Sequence, residues 1–109
     1  MKMIIAIVQD DDALDLVDEL TERNFRVTKL ATTGGFLKSG NTTLLMGVEK
    51  EKVEEIIDII KSTCKKRSEM VAAPTPISGD PGVYIPYPVE VKVGGATVFV
   101  LDVDQFVRI

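Results

Sequence analysis

Asn24, Arg26 and Thr28 alternate along one short stretch and place an amide, a guanidinium and a hydroxyl on the same side of an extended chain, at intervals of roughly 7 Å. Such a row suits phosphate oxygens, because the planar guanidinium fork gives bidentate, charge-assisted hydrogen bonds and the hydroxyl adds another. The alternative is an ordinary solvated face of an edge strand, and spacing alone leaves both open. Six residues beyond Thr28, Gly34 to Asn41 carries three glycines in eight residues, with Phe36 and Leu37 among them. Glycines let a ligand approach the backbone, and an exposed phenylalanine has a use in stacking on a nucleobase; otherwise Phe36 folds back onto the core. Neither G-x-x-x-x-G-K-[ST] nor G-x-G-x-x-G occurs, so this is not a known phosphate loop. Gly47 interrupts an apolar strand, where a missing side chain admits a close neighbour.

Catalytic machinery is sparse. The chain has no histidine and one cysteine, Cys64, so no Ser-His or Cys-His pair can be assembled and no C-x-x-C metal or redox spacing exists. The acids cluster at expected helix starts (Asp10, Asp11, Asp12; Glu49, Glu51), where the helix dipole accounts for them. The expectation is a binding protein, not an enzyme, with no metal and no cofactor. Cys64 reads as a packing residue in a reducing compartment.

The formal net charge is −4, unevenly spread. Arg23 to Val48 contains Arg23, Arg26, Lys29 and Lys38 and no acid, whereas the remainder holds nine basic against seventeen acidic residues. A nucleic acid polymer needs a broad basic surface, so it is not expected as a partner; a small anion is. The other reading is a chance grouping of basic residues on a solvated strand and loop. No apolar run reaches the length of a membrane span, and because the start turns acidic so early no signal peptide is expected. The expected location is the cytoplasm, without membrane insertion.

The elements that must hold these residues follow from periodicity. With 109 residues, 45% of them hydrophobic, a single domain over residues 1–109 is expected. Lys2 to Gln9 reads as a strand buried on both faces. The triplet Asp10-Asp11-Asp12 offers capping oxygens to a helix running to about Arg23, with Leu14, Val17 and Leu20 on its stripe and Asn24 ending it. Phe25 to Thr33 reads as a strand with a bulge near Lys29-Leu30, and Thr42 to Val48 as its antiparallel neighbour. Lys50 to Lys66 is a helix packed through Val53, Ile56, Ile57, Ile60 and Cys64. All five prolines fall within Pro74 to Pro88, which reads as a long irregular connection. Val89 to Val93 and Ala96 to Val103 read as a hairpin turning at Gly94-Gly95.

The order β-α-β-β-α-β with an additional C-terminal hairpin predicts an α+β, ferredoxin-like βαββαβ domain. Its two helices cover one sheet face. Ala96 to Leu101 is apolar on both sides, so association through the other face is expected.

The strings MKMIIAIVQD, TKLATTGGFLKSGNTTLLMGV, YIPYPVEV and GGATVFVLDVDQF resemble the PII-like cyclic-di-AMP receptor family of Gram-positive bacteria. The resemblance implies a PII-like homotrimer of ferredoxin-like subunits that binds cyclic di-AMP at each interface and signals by rearranging loops, without catalysis, to a downstream protein target that the sequence does not name. It also implies that the ligand is held by Asn24, Arg26, Thr28, Gly35, Phe36, Leu37, Asn41 and Gly47. Compared with nitrogen-regulatory PII proteins, the connection between the second and third strands is short (Gly34 to Asn41), which disfavours the alternatives of an ATP- or ADP-binding PII-type regulator and leaves a ligand-free oligomeric adaptor as the third reading.

Overall fold

The structure, a computed structural model, describes residues 1–30, 40–76 and 84–109, with the side chains of 71–76 and 84–87 outside the description. The elements are β1 (Lys2–Gln9), α1 (Asp10–Glu22), β2 (Thr28–Leu30), β3 (Asn41–Val48), a 3-10 turn (Lys50–Lys52), α2 (Val53–Thr63), β4 (Arg67–Pro76), β5 (Tyr84–Val93) and β6 (Ala96–Asp102). A four-stranded antiparallel sheet has the order β2-β3-β1-β6, and β4 pairs with β5 in a separate ribbon. This is a mixed fold of two helices and antiparallel sheets, and the four-strand order is that of a ferredoxin-like unit.

The core lies between the helices and one sheet face. Ile4, Ala6 and Val8 of β1 alternate with half-buried Met3, Ile5 and Ile7, and Leu44, Met46 and Val48 of β3 do the same. Leu16 and Leu20 of α1 and Ile56, Ile59 and Ile60 of α2 fill the space above them. Each fully buried side chain of this kind contributes about 1.5–3 kcal/mol. Of the expected α1 stripe, Leu20 is buried and Val17 packs against the core, whereas Leu14 is 71% exposed and Ala13 and Leu16 are buried instead.

Asn24 closes α1 as expected, and its geometry says why. Its φ of +67° is the left-handed conformation in which asparagine is tolerated. There Asn24 N donates to Thr21 O and Phe25 N donates to Leu20 O, both at 3.0 Å, the double bond pattern of a Schellman motif. Phe25 packs against the core that contains Leu20.

Several boundaries depart from the sequence expectations. The acidic triplet does not cap α1: Gln9 occupies the N-cap without a side-chain bond, and Asp10, Asp11 and Asp12 form the first turn, where their charge still suits the dipole. Helix α2 is shorter than expected, because Lys50 to Lys52 forms a 3-10 turn and Cys64 is already the C-cap. The register of β2 on β3 pairs Thr28, Lys29 and Leu30 with Leu45, Leu44 and Thr43 in unbroken order, so no bulge occurs at Lys29-Leu30. The rest of the expected strand to Thr33 lies outside the described residues.

The C-terminal third differs most. Gly94-Gly95 does not turn a hairpin: β5 pairs with β4, while β6 pairs along β1 from Lys2↔Asp102 to Val8↔Ala96. The extra hairpin therefore precedes the last strand of the sheet. The two glycines carry φ of +92° and +87°, which is why they mimic a hairpin signal, but here they lead the chain from the ribbon into the main sheet. The expected irregular connection is largely strand too, since Pro74 to Pro76 ends β4 and Tyr84 to Pro88 begins β5. A two-stranded ribbon has only edge strands, the setting in which proline is tolerated.

Candidate functional site

The sheet face turned away from the helices is the one that carries the candidate ligand residues. Opposed residues of an antiparallel pair share a face, so register defines rows across it. One row runs Thr28, Leu45, Ile5, Phe99; the next runs Gly47, Met3, Leu101 on one side, and Leu30, Thr43, Ile7, Thr97 on the other. Continuing the β2–β3 register back by two residues sets Arg26 opposite Gly47. Burial supports that alternation, for Phe25 and Val27 pack against the core while Arg26 and Thr28 are exposed. Asn41 begins β3, exposed, on the face of Thr43 and Leu45.

The structure thus brings Arg26, Thr28, Asn41 and Gly47 onto one uncovered face. Asn24 is exposed at the head of this stretch, although its left-handed backbone also gives it a part in ending α1. Gly35, Phe36 and Leu37 lie outside the described residues. The cationic segment resolves into unequal parts. Arg23 is drawn back along the helices by Glu19 at 3.4 Å and Glu55 at 4.0 Å, and Lys29, opposite Leu44, belongs to the helix side of the sheet. Among the described residues Arg26 is the cation of that segment placed on the open face, and it makes no salt bridge with any of them.

Two neighbours of Gly47 were not legible beforehand. A Cβ built at Gly47 would lie 3.9 Å from Met1 Sδ and 3.9 Å from Phe106 Cε2. The chain ends therefore meet at this row, helped by Val103 N donating to Met1 O at 3.3 Å and by the Lys2–Asp102 ion pair, which holds the Asp102 carboxyl below the usual carboxylate range. Neither Met1 nor Phe106 belongs to a periodic segment, so no pattern could have assigned them.

The turn that would carry Phe36 and Leu37 is anchored where it re-enters the sheet. Asp10 N donates to Gly40 O at 2.8 Å, and Thr42 Oγ1 donates to Asp10 Oδ1 at 2.5 Å. Asn41 is opposite Gln9, whose side-chain oxygen accepts the Gly94 amide at 2.7 Å. The base of the turn and the root of the ribbon are thereby joined through the end of β1. No group of three or more potential metal-ligating side chains occurs among the described residues. No helix there is long and apolar enough to cross a membrane.

Among the described residues, an exposed arginine, hydroxyl, amide and glycine lie on the sheet face turned away from the helices. A crystal structure described as a functionally unknown protein from Pediococcus pentosaceus ATCC 25745 shares 51% sequence identity with this chain, covers 99% of it and 96% of its own chain, and superposes with a TM-score of 0.76. The family model described as cyclic-di-AMP receptor matches residues 1–109, the entire sequence, and the chain belongs to that family.

Proposed function

We propose that the protein is a signalling receptor that binds cyclic di-AMP between the subunits of a PII-like homotrimer and passes the signal on by rearranging its loops. The carrying observation is the placement of Arg26, Thr28, Asn41 and Gly47 on an uncovered sheet face. Arg26 supplies a fork for a phosphodiester, Thr28 and Asn24 add polar contacts, and Gly47 and Asn41 border the ligand. Gly35, Phe36 and Leu37 supply backbone amides and a stacking surface for a base. Association is favoured by the same face, where Phe99, Leu101 and Leu30 are 50%, 48% and 42% exposed and need cover. A second subunit completes a pocket that one open sheet face cannot form alone.

The test is isothermal titration of the purified protein against cyclic di-AMP, cyclic di-GMP, ATP and AMP, with light scattering on the same sample. Saturable binding of cyclic di-AMP well ahead of the others, by a particle of three chains, is expected. Preference for ATP would replace the reading by a nucleotide-triphosphate regulator, no binding would leave an oligomeric adaptor, and a monomer at micromolar concentration would remove the interface on which the site depends.

A further inference from the structure

At the end of the sheet where β1 runs into α1, the root of the β4–β5 ribbon forms a basic cleft of about 430 Å³ lined by Lys66, Arg67, Ser68, Lys92, Val93 and Gly94. It continues into a shallow hollow of about 400 Å³ between α2 and β6, with Ile57, Ile60 and Val98 at its base and Lys61, Lys65 and Lys66 at its rim. The two share Lys66 and meet at Gly94-Gly95. We propose that this trough is the docking surface for an acidic, partly apolar segment of a protein partner; as the output surface of the receptor it rests on the reading above.

Charge and shape select that occupant. Ser68 stands directly opposite Lys92, and Lys61, Lys65, Lys66 and Lys92 make no salt bridge among the described residues. Among the described residues neither the cleft nor the hollow is lined by an acid; Asp12 is paired with Arg67 Nη2 at 2.7 Å and Glu69 with Arg67 Nε at 3.4 Å, and Glu90 stands one step further along the Ser68–Lys92 face. In a chain of net charge −4 this is a cationic concentration outside the ligand-bearing segment. Small-molecule sites enclose most of their ligand, whereas this trough is shallow, elongated and rimmed by exposed lysines. Such rims steer a partner of opposite charge, and the apolar base accepts its aliphatic side chains.

The place also fits a readout. Gly94 at the cleft is hydrogen-bonded to Gln9, and Gln9 is paired with Asn41 at the base of the candidate ligand turn.

The test uses the intact protein, labelled with 15N, and an acetylated peptide of repeated Glu-Glu-Leu-Leu as probe, with the Lys-Lys-Leu-Leu counterpart and inorganic phosphate as comparisons. The expected result is saturable amide shifts confined to residues 61–68 and 92–98 with the acidic peptide, and at least tenfold weaker binding in the Lys66→Glu/Lys92→Glu variant. Absence of binding, shifts located elsewhere, or equal affinity in that variant overturns the proposal. Phosphate alone giving the same saturable shifts overturns it in favour of a small-anion site. Cyclic di-AMP titrated into both proteins is expected to bind them equally. Failure of the wild type to bind it would count against the receptor reading, while the peptide result would still decide the surface.

Discussion

Arg67 places its guanidinium Nη2 2.7 Å from Asp12 Oδ1 and its Nη1 3.5 Å from Asp12 Oδ2, which ties the first turn of α1 to the start of the β4–β5 ribbon. The carboxylate side chain is only 4% exposed and the arginine 36%. Arg67 Nη1 also donates to Lys65 O at 2.9 Å, and Gly95 N donates to Cys64 O at 2.6 Å. Among the described residues, a small polar knot fixes the root of the ribbon to the domain.

That asymmetry of burial sets the outcome of breaking the pair. Arg67→Ala leaves a buried carboxylate without its partner. Loss of one member of a buried pair is destabilising because it leaves an uncompensated charge, and the exposure of Arg67 to water moderates that loss. Replacing both residues removes the orphaned charge, so Asp12→Ala/Arg67→Ala is expected to be more stable than Arg67→Ala alone. Denaturant unfolding of the two variants and the parent checks this; additivity of the single substitutions would show that the pair is not coupled.

Gly94 and Gly47 make opposite predictions for the same substitution. A Cβ at Gly94 would overlap the Lys65 carbonyl while φ stands at +92°, so Gly94→Ala combines backbone strain of about 1–3 kcal/mol with steric overlap of similar size. A loss of at least ~2 kcal/mol of stability is expected. At Gly47 the added carbon would make only ordinary contacts at 3.9 Å, so Gly47→Ala should fold with a stability change within about 0.5 kcal/mol. A fall in cyclic-di-AMP affinity for Gly47→Ala, at unchanged stability, would then report directly on the ligand site. Thermal unfolding and titration of both variants supply the two readouts.

Cys64 is buried beside the same knot. Burial, reinforced by the Asp12 charge, pushes its thiol up to about 11. The thiol therefore stays protonated in the fold while an unfolded thiol ionises near its ordinary value of about 8.5. A folded pKa above the unfolded one means that its stabilising contribution is full below the unfolded pKa and falls as pH rises through that value toward about 11. Native protein at pH 8 is expected to react with a thiol reagent at least tenfold more slowly than protein unfolded in guanidinium. Cys64→Ala should lose the part of the alkaline destabilisation that this thiol causes. Equal reaction rates in native and unfolded protein would show that the thiol is accessible.

How far the sequence could be read depended on whether local pattern or long-range pairing decided each feature. Ile56 and Ile60 were recognisable because the helix period repeats along the chain, whereas the continuous apolar run of β1 gave a strand expected to be buried on both faces, and only the face of Ile4, Ala6 and Val8 is fully buried. Asn24 was recognisable as a helix end because its side-chain type tolerates left-handed backbone. The partner of Val89 to Val93 was not recognisable, since glycines with positive φ serve a hairpin or a passage between sheets equally well and only the free edge of β1 decides. The stripe of Arg26 and Thr28 could be read from alternation. Its meeting with Gly47 needed the β2–β3 register, and the approach of Phe106 needed the path of the whole chain. Arg67 belongs to no periodic stretch of the sequence, and only the fold sets it against Asp12, fifty-five residues away.

Arg26 carries the most direct prediction for the ligand. It is exposed, free of salt bridges to any described residue, and lies two residues before Thr28, where the β2–β3 register begins. Hydrogen bonds to a charged group contribute about 1.5–3 kcal/mol, so Arg26→Ala is expected to weaken cyclic di-AMP binding by roughly tenfold to somewhat more than a hundredfold. Arg26→Lys should restore only part of this, because an ammonium keeps the charge but not the planar fork. As Arg26 lacks a described ion-pair partner, its removal should leave the unfolding midpoint within about 0.5 kcal/mol of the parent. Titration calorimetry and thermal unfolding of both variants provide the check: unchanged affinity in Arg26→Ala would make the strand stripe solvated surface, and full recovery in Arg26→Lys would reduce the contact to charge alone.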